Sequence, residues 1–373
     1  MNWRATRPLA LRVACAVLVA GAFLAWSMSA TAQPQPAEAP SNDYLINDSH
    51  FHLTNYIQEG TDIREFLGIM GTKVGRVALF GLPLQQEWSY ENSGDFAPTY
   101  YLQSDAPLYY YSFTDAYIAM AYRSLPKEQQ PRFDPMITGF NPADMYAADH
   151  VRRVLQTFPG VFSGIGEFTI HKEFVSAKIA GGPASLQNRA LDRLLDFAGE
   201  VGLVVLIHSD VDVPFAKFGS EPVYLTQMRA MLKRHPETTI IWAHLGLGRV
   251  VRPVKDQAAI VEAMLTDPAF NHVYFDISWD EVAKYLGTAP DSTRLVADII
   301  NRYPNRFLFG TDEVAPESQE KYLRIYDQYR PLWDLLDKTA SEKVRKGNYE
   351  RIFDQGRRRV RAWEQVNVKY PRD

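Results

Sequence analysis

The 373-residue sequence contains a single cysteine, Cys15. It lies inside an N-terminal segment that we expect to be removed, so the mature chain would carry neither a disulfide bond nor a thiolate. An exported protein without disulfides depends on its hydrophobic core. Because 46% of the residues are apolar, a chain of this length can form one.

Apolar runs long enough to cross a membrane are also missing from the N-terminal segment. Its apolar run spans residues 13–26, and these 14 residues fall short of the roughly 20 that a membrane helix needs. Three arginines precede the run, and the small-residue motif Ala30-Thr31-Ala32 follows it. This order predicts a secretory signal peptide over residues 1–32, with an uncleaved anchor as the alternative. We therefore expect a periplasmic or secreted protein.

The sequence has no excess of positive charge. Its 40 basic and 44 acidic residues give a net charge of −4, and cleavage would remove three arginines and no acidic residue. Nucleic acid is therefore not an expected partner, and neither is a membrane surface after cleavage. Residues 33–43 form a short flexible leader by composition, and residues 44–373 form the remaining domain.

Eight apolar runs of strand length recur along this domain, most of them separated by amphipathic helical patterns. In one pattern Leu191, Leu194, Leu195 and Ala198 follow helical spacing, and Gly202 is a suitable helix end. Runs rich in Val, Ile and Leu indicate strands buried on both faces, as in a parallel sheet covered by helices. The runs occupy residues 44–53, 74–83, 132–142, 161–171, 202–210, 238–246, 272–280 and 306–314.

Eight strand-helix units in about 300 residues favour an α/β fold of the TIM-barrel type, a closed (β/α)8 barrel. An open doubly wound sheet is the alternative, but no glycine-rich phosphate loop follows the first run. The connection over residues 84–131 is unusually long and holds eight of the 20 tyrosines. It predicts a lid or pocket wall, an additional helical layer, or both. The C-terminal helical segments would close the bottom or side of the barrel.

Histidines and carboxylates occur where the predicted strands end. In "LINDSHFHLT", His50 and His52 share one face of a strand because side chains alternate. Active sites of (β/α)8 barrels lie at the C-terminal ends of the strands, so these residues should converge. A single residue of this kind is often a hydrogen-bonded core group or a helix cap, but five strands of eight are involved. The candidates are His50, His52, Glu167, His208, His244 and Asp312.

This order of residues resembles the amidohydrolase superfamily, and more closely its amidohydrolase-related branch of metal-dependent hydrolases and decarboxylases. The segments "GIGEF", "IIWAHLG", "FLFGTD" and "KGNYERIF" are also similar, and the resemblance spans residues 44 to 355. It implies that His50, His52, His208 and Asp312 bind a divalent ion. It also implies that His244 hydrogen-bonds the metal-bound water or the substrate.

Glu167 departs from the resemblance, because many binuclear members carry a carbamylated lysine on strand four. Glu167 would either bridge a second ion or orient a histidine, and we expect one ion with Glu167 beside it. Lys172 lies five residues further on, so strand parity predicts that it faces away from Glu167.

The implied ligands suit Zn²⁺, and Mn²⁺ or Fe²⁺ would also fit a mixed nitrogen and oxygen shell. Such an ion lowers the pKa of its water to about 7. Asp312 would take the water proton and pass it to the leaving group, while His244 would polarise the scissile carbonyl.

Other polar residues are weaker candidates. His171 shares parity with Glu167 and would lie at the rim or on the surface. Arg249 and Arg252 would bind a substrate carboxylate or be solvated. Asp276 and Ser278 would line the pocket. Three histidines lie in helices or at a strand start and receive no function: His150, His235 and His272.

Three functions follow from these residues. The leading one is hydrolysis of an amide, lactone or ester bond in a small-molecule substrate. The tyrosine-rich connection hints at an aromatic or carbohydrate-like ligand. The alternatives are a metal-dependent non-oxidative decarboxylase and a non-catalytic metal- or ligand-binding protein. An oligomer is left open.

Overall fold

The strands of this protein were located in a computed structural model, which describes residues 43–369 except 83, 99, 180, 182–183 and 288–289. The predicted signal peptide and residues 33–42 of the predicted leader lie outside the described residues. The strands are β1 Ile46–His52, β2 Val74–Phe80, β3 Leu84–Gln86, β4 Leu108–Tyr110, β5 Phe133–Ile137, β6 Gly164–His171, β7 Val204–Ser209, β8 Ile240–Trp242, β9 Val273–Asp276, β10 Phe307–Leu308 and β11 Glu313–Val314.

Helices follow most of the strands and cover the outside of the sheet. A π-helix at Lys343–Gly347 joins the last two of them. The helices are α1 Ile63–Met70, α2 Tyr90–Ser93, α3 Phe113–Arg123, α4 Ala147–Thr157, α5 Val175–Lys178, α6 Arg189–Val201, α7 Leu225–Arg234, α8 Gln257–Thr266, α9 Asp280–Gly287, α10 Pro290–Arg302, α11 Gln319–Gln328, α12 Arg330–Trp333, α13 Lys338–Glu342 and α14 Asn348–Asn367. Within the described part of the chain, no helix is both long and apolar enough to span a bilayer.

The main sheet has nine strands in the order β10-β9-β8-β7-β6-β5-β2-β1-β11, and every pairing is parallel. Its two edges meet through the short segment between β10 and β11. Ser49 N–H donates to the Phe309 carbonyl at 3.2 Å, and Asp312 N–H donates to the His50 carbonyl at 2.7 Å. The fold is therefore the predicted (β/α)8 barrel, and all eight predicted runs contribute to it.

Helix α6 illustrates how local sequence fixes these elements. The Asn188 side chain accepts a hydrogen bond from Ala190 N–H at the start of the helix, and Gly202 ends it in a left-handed conformation at φ 84°. Leu191 and Leu194 are fully buried on the face that packs against the barrel. The predicted helix and its predicted end are confirmed.

Helix α14 closes the N-terminal end of the barrel. Its side chains Tyr349, Ile352 and Phe353 belong to the same buried cluster as Val204 and Leu206, which point into the barrel. A filled interior at this end leaves the opposite end for the site. The predicted closing role of the C-terminal segments is confirmed for this helix.

The long tyrosine-rich connection serves both predicted purposes. Its first part forms an antiparallel hairpin of β3 and β4, paired from Leu84 with Tyr110 to Gln86 with Leu108. Its second part is helix α3, which packs Ile118 and Ala119 into the main core. The hairpin lies over the barrel mouth, while the helix is the crossover from β2 to β5.

Candidate metal centre

Strand β1 brings two histidines into the barrel by simple alternation. His50 and His52 point inward, and Phe51 between them points outward, where its ring stacks on Phe66 with centroids 3.9 Å apart. Both imidazoles are buried, at 0% and 2% exposure. The predicted shared face of the two histidines is therefore observed.

Strands β6 and β7 contribute the next two residues. Glu167 follows Gly166, whose φ is 121° and whose hypothetical Cβ would lie 2.1 Å from the Leu206 carbonyl oxygen, so only glycine fits there. On β7, Leu206 and His208 face the barrel interior in alternation. Glu167 and His208 thus meet at the same level of the barrel.

Two sharp turns place the remaining candidates. His244 follows β8 in a left-handed conformation, with φ 58° and ψ 18°, and its side chain is fully buried. Asp312 has φ 53° and lies between β10 and β11. Non-glycine residues in this region of backbone space are uncommon and concentrate at functional sites.

Four of the six residues form one tight group. His50 Nε2 lies 3.1 Å and His52 Nε2 lies 3.3 Å from Asp312 Oδ1. Glu167 Oε2 lies 3.4 Å from His52 Nε2 and 3.8 Å from His50 Nε2. One ligand atom from each of the four residues lies within 4.8 Å of the others, a spacing that a single ion could occupy.

His208 belongs to a neighbouring group instead. Its Nδ1 lies 2.5 Å from Glu167 Oε1, and its Nε2 lies 3.2 Å from Asp210 Oδ1. Glu167, His208 and His244 form a second possible ligand set. Glu167 is therefore shared between two groups, whereas the implied set of His208 with His50, His52 and Asp312 is not gathered around one point.

A polar layer behind the histidines fixes their protons. His50 Nδ1 lies 2.7 Å from Asp276 Oδ2, and Ser278 Oγ donates to the same oxygen at 2.6 Å. Because the Ser278 hydroxyl proton is engaged in that bond, Ser278 Oγ can only accept a hydrogen bond from His244. The donor is His244 Nδ1, which lies 3.0 Å from Ser278 Oγ. In the neutral form of each imidazole, Nε2 is then the unprotonated nitrogen, and it faces the centre. Asp276 and Ser278 thus lie behind the histidines, out of the predicted pocket lining.

These two nitrogens have no partner of their own. His50 Nε2 and His244 Nε2 are buried atoms that make no hydrogen bond to a described residue. For His50 the nearby Asp312 oxygen is close but lies outside hydrogen-bonding geometry. Orphaned buried nitrogens are costly, and two of them facing two carboxylates fit a site for a cation.

The charges of the cluster are strongly coupled. Burial alone would lower the pKa of His50, but attraction to Asp312 raises it well above its usual value. Burial would likewise raise the pKa of Asp312, yet His50 holds it well below the usual range. The pKa of Glu167 is lowered in the same way by Lys172, against the effect of burial. Burial lowers the pKa of His244 below its usual value.

The expected orientation of Lys172 is wrong. Its Nζ lies 3.6 Å from Glu167 Oε1, whereas strand parity predicted that it faces away. The pairing of β6 with β7 is irregular between Thr169 and His171, and such an irregularity reverses the side-chain alternation. The same reversal carries His171 out of the site, where its ring stacks on Tyr224 at 3.7 Å.

A cavity of about 200 Å³ opens above the cluster at the barrel mouth. The tyrosine-rich hairpin contributes Tyr100 and Tyr101 to its wall, beside Tyr56, Lys172 and Trp279. The sequence predicted a pocket wall from this connection as a whole, but only the fold shows that Tyr100 and Tyr101 are the tyrosines of the connection that line the cavity.

The hairpin is tied to the site by a chain of hydrogen bonds. Tyr101 OH donates to Glu173 Oε2 at 2.7 Å. Glu173 N–H in turn donates to Asp210 Oδ2 at 2.6 Å, and the other oxygen of Asp210 contacts His208. Asp210 was missed in the sequence, although it lies two residues after His208 on the same side of the strand.

The two arginines and three histidines that the sequence also singled out lie in different parts of the fold. Arg249 reaches the cavity, with its guanidinium carbon 5.6 Å from the Trp279 ring centre. Arg252 instead lines a separate surface cleft with residues 212–220. A third possible ligand group joins His50 and His244 to Asp276, and the three histidines without a predicted function lie outside all three groups: His150, His235 and His272.

Comparison with solved structures places this architecture among known barrels. A putative 2-pyrone-4,6-dicarboxylic acid hydrolase from Pseudomonas putida matches with a TM-score of 0.50 and 13% identity, over 84% of this chain and 99% of that one. A TIM-barrel protein from Bordetella bronchiseptica has a TM-score of 0.49 and 15% identity, over 83% and 99%. A 2,6-dihydroxybenzoate decarboxylase from Rhizobium has a TM-score of 0.44 and 12% identity, over 84% and 99%. At these identities the likeness shows the fold alone.

Sequence comparison is more specific. No curated protein matches the chain. The family profile described as Amidohydrolase matches residues 48–355, which include all six candidate residues. That range covers most of the chain, from β1 to the middle of α14. The chain belongs to the amidohydrolase family.

Proposed function

We propose that this protein is a metal-dependent hydrolase that activates water for attack on an amide, lactone or ester bond of a small molecule. One observation carries the proposal: the buried, unpartnered Nε2 atoms of His50 and His244 face the carboxylates of Glu167 and Asp312. A divalent cation would satisfy His50 Nε2 and balance both carboxylates, and His244 Nε2 would accept a hydrogen bond from water in the same site. Packing or hydrogen bonding within the protein provides no such partner among the described residues.

The first ligand group would hold this ion through His50, His52, Glu167 and Asp312. A second ion would be held by His208 and His244, and Glu167 would be shared between the two ions. We propose one ion in the first group as the minimum. Imidazole and carboxylate ligands favour Zn²⁺, with Mn²⁺ or Fe²⁺ as alternatives.

When bound, a divalent ion supplies a Lewis acid and lowers the pKa of water towards neutrality. Asp312 borders the cavity, so it is placed to accept the proton as the water oxygen attacks the carbonyl carbon. The same carboxyl group then delivers the proton to the leaving nitrogen or oxygen. His244 Nε2, which carries no proton when Nδ1 donates to Ser278, lies 3.8 Å from Asp312 Oδ2 and is close enough to accept a hydrogen bond from the same water.

The aromatic lining of the cavity favours a small planar substrate. Tyr56, Tyr100, Tyr101 and Trp279 present ring faces and edges around a space of about 200 Å³. Aromatic side chains combine apolar faces with polar edges, which suits flat molecules carrying oxygen substituents. The first solved structure named above is a putative hydrolase of such a molecule, in agreement with this proposal.

Metal content tests the ligand assignment. Elemental analysis of the purified mature protein should give at least one divalent ion per chain. His50→Ala should abolish binding, whereas His150→Ala, a histidine outside the ligand groups, should not. His208→Ala should leave one ion if the first group binds alone, and should reduce a count of two to one if Glu167 bridges. A wild-type protein that binds no divalent ion after reconstitution would refute the proposal.

The reaction type is tested separately. A panel of lactones, esters and amides is incubated with loaded enzyme in H₂¹⁸O, and products are analysed by mass spectrometry. Hydrolysis places one ¹⁸O atom in the new carboxyl group. Release of carbon dioxide without ¹⁸O in the remaining product would instead identify a decarboxylase. Ligand binding without any product would identify a binding protein.

We also propose that the protein is exported to the periplasm or beyond. The support is the order of arginines, apolar run and Ala30-Thr31-Ala32 in residues 1–32. Mass spectrometry of protein expressed in a Gram-negative host should find a chain that begins at Gln33. A full-length chain recovered from the membrane fraction would indicate a retained anchor.

A further inference from the structure

Exposed aromatic side chains are confined to one end of the barrel. Nine are exposed among the described residues, and all nine lie in the connections that follow β2, β5, β6 and β7. Each lies before, or at the start of, the helix that leads away from the mouth, which is α3, α4, α6 or α7. The mouth end therefore has an apolar surface that the opposite end lacks, and such surfaces mark interaction sites.

The tip of the hairpin, residues 87–97, combines aromatic and acidic side chains. Trp88, Tyr90 and Phe96 are 57%, 74% and 71% exposed. No lysine or arginine occurs in residues 77–122. The tip is therefore an aromatic segment with negative charge, which comes from three exposed carboxylates: Glu87, Glu91 and Asp95.

Hydrogen bonds within the hairpin order this tip. The Trp88 Nε1–H group donates to the Gly94 carbonyl at 3.0 Å, and the Gly94 N–H donates to the Tyr90 carbonyl at 2.9 Å. At the base of the tip, the Glu87 N–H donates to the Pro107 carbonyl at 2.9 Å. A segment that is ordered before it binds loses less conformational entropy on binding, so these aromatic residues are suited to anchor an interface.

A surface cleft at the same end of the barrel could receive such a segment. The loops that follow β7 and β8 line it with residues 212–213, 215–220 and 250–254, and its volume is about 500 Å³. Phe215 and Phe218 belong to this lining and are 73% and 81% exposed. The cleft thus offers an apolar surface with room for an aromatic side chain.

The exposed charges in this cleft are positive. Lys217 and Arg252 line it and are exposed, and neither forms an ion pair with another described residue. The one carboxylate in the lining is that of Asp212, which is 3% exposed. Its Oδ1 atom already accepts hydrogen bonds from the N–H groups of Val213 and Val223, at 2.8 and 3.2 Å. The cleft is therefore opposite in charge to the tip.

A symmetric dimer requires a self-complementary surface, because each copy presents the same residues to the other. The mouth end carries both halves of such a contact, an acidic aromatic tip and a basic apolar cleft. We propose that two copies of this chain form a dimer in which the tip of each copy binds the cleft of its partner. The aromatic side chains are the buried anchors, and the carboxylates of the tip pair with Lys217 and Arg252.

This inference goes beyond the proposed function and does not depend on it, because no residue of the contact belongs to a possible ligand group. The same connection supplies Tyr100 and Tyr101 to the cavity wall, so the partner copy would also support that wall. A lipid surface is the other partner that exposed aromatic residues could fit. The three carboxylates of the tip oppose contact with anionic lipids.

Sedimentation velocity over a concentration series measures the dimer and its Kd. A tip variant reverses three charges: Glu87→Lys, Glu91→Lys and Asp95→Lys. A cleft variant reverses two: Lys217→Glu and Arg252→Glu. Each variant alone should raise the dimer Kd about 100-fold or more, because like charges then meet in both contacts. A control variant reverses exposed charges at the opposite end of the barrel and should leave Kd unchanged: Glu128→Lys, Glu237→Lys and Arg358→Glu.

Mixing the tip variant with the cleft variant is the decisive measurement. In a mixed dimer the lysines of the altered tip meet the glutamates of the altered cleft. The unaltered acidic tip meets the unaltered basic cleft, so both contacts are again attractive. The mixture should therefore form dimers with a Kd close to that of the wild type, although each variant alone does not. Such recovery would also show that both variants are folded.

Several results would overturn the inference. Wild-type protein that stays monomeric at about 100 μM would exclude a specific dimer. A dimer that persists unchanged in both variants would place the interface elsewhere. A mixture that stays monomeric, although both variants keep the circular dichroism of the wild type, would exclude the pairing of tip and cleft. If a variant unfolds, the neutral substitutions Glu91→Gln and Arg252→Gln decide: a raised Kd supports the contact and an unchanged Kd overturns it.

Vesicle binding separates a second copy from a lipid surface. Wild-type protein should not co-sediment with vesicles of phosphatidylcholine or of phosphatidylcholine with phosphatidylglycerol. Monomeric protein that binds these vesicles, and loses this binding on Phe215→Ser with Phe218→Ser, would assign the exposed aromatic residues to a membrane and overturn the dimer.

Discussion

Asp276→Asn would test how the layer behind the histidines controls the metal centre. Asp276 is fully buried, and its Oδ2 accepts from His50 Nδ1 at 2.7 Å and from Ser278 Oγ at 2.6 Å. Its other oxygen accepts from Ser278 N–H at 2.8 Å. Asparagine keeps the size and this last hydrogen bond but places an NH₂ group opposite His50 Nδ1. The His50 proton must then move to Nε2, where it blocks the nitrogen that faces the site.

The expected cost follows from the lost hydrogen bond. Partners that orient a metal-bound histidine contribute about 10- to 100-fold in metal affinity, or about 1.4 to 2.7 kcal/mol. One net hydrogen bond to a charged group is worth about 1.5 to 3 kcal/mol, which agrees. We therefore expect Asp276→Asn to weaken Zn²⁺ binding about 10- to 100-fold, measured by competition with a chromogenic chelator at fixed pH.

Asp192→Asn is the matched control. Asp192 also hydrogen-bonds a histidine, His235 Nε2 at 2.9 Å, but it lies on helix α6 outside the barrel. It should leave Zn²⁺ affinity unchanged. If Asp276→Asn also left the affinity unchanged, the proton arrangement assigned to His50 would be wrong. An equal loss in both variants would point to a general effect on folding.

Three further predictions concern the lid, the pH response and the core. Tyr101→Phe removes the hydrogen bond to Glu173 and should increase amide hydrogen exchange in residues 100–110 about 10- to 100-fold, whereas Tyr109→Phe should not. Burial lowers the pKa of His171 in the folded protein from 6.5 to about 4. As the pH falls, the unfolded chain therefore binds this proton before the folded protein does, and the free energy of unfolding decreases between pH 6.5 and pH 4. His171→Phe should lose this part of the pH dependence in urea denaturation. Leu194→Ala should cost about 2 to 5 kcal/mol of unfolding free energy, against about 0.5 for the half-exposed Leu295→Ala.

Each of these has a contrary outcome. Unchanged exchange in Tyr101→Phe would mean that other contacts hold the hairpin. An identical pH dependence in wild type and His171→Phe would exclude the buried imidazole as its source. Equal costs for the two leucine substitutions would contradict the packing of α6 against the barrel.

Much of the fold was readable from short-range patterns. Alternation put His50 and His52 on one face of β1, and helical spacing with Asn188 and Gly202 bounded α6. These features depend on backbone periods of 2 and 3.6 residues, which act over a few neighbours. The convergence of strand ends followed from the barrel, because parallel strands present their C-terminal ends on one side.

The partners of each site residue depended on the tertiary structure. An irregular pairing between β6 and β7 turned Lys172 towards Glu167 and His171 away from it. Side chains from distant strands decided that Glu167, and not His208, lies with His50 and His52.

The sequence by itself thus determined the strand-helix repeat and the six polar residues at the strand ends. Only the tertiary structure decided how these residues pair and which charges surround the cavity. The physical reason is the sequence distance over which each determinant acts. Local periodicity sets the face on which a side chain lies. The register between strands and the approach of a distant hairpin decide which residues that side chain contacts.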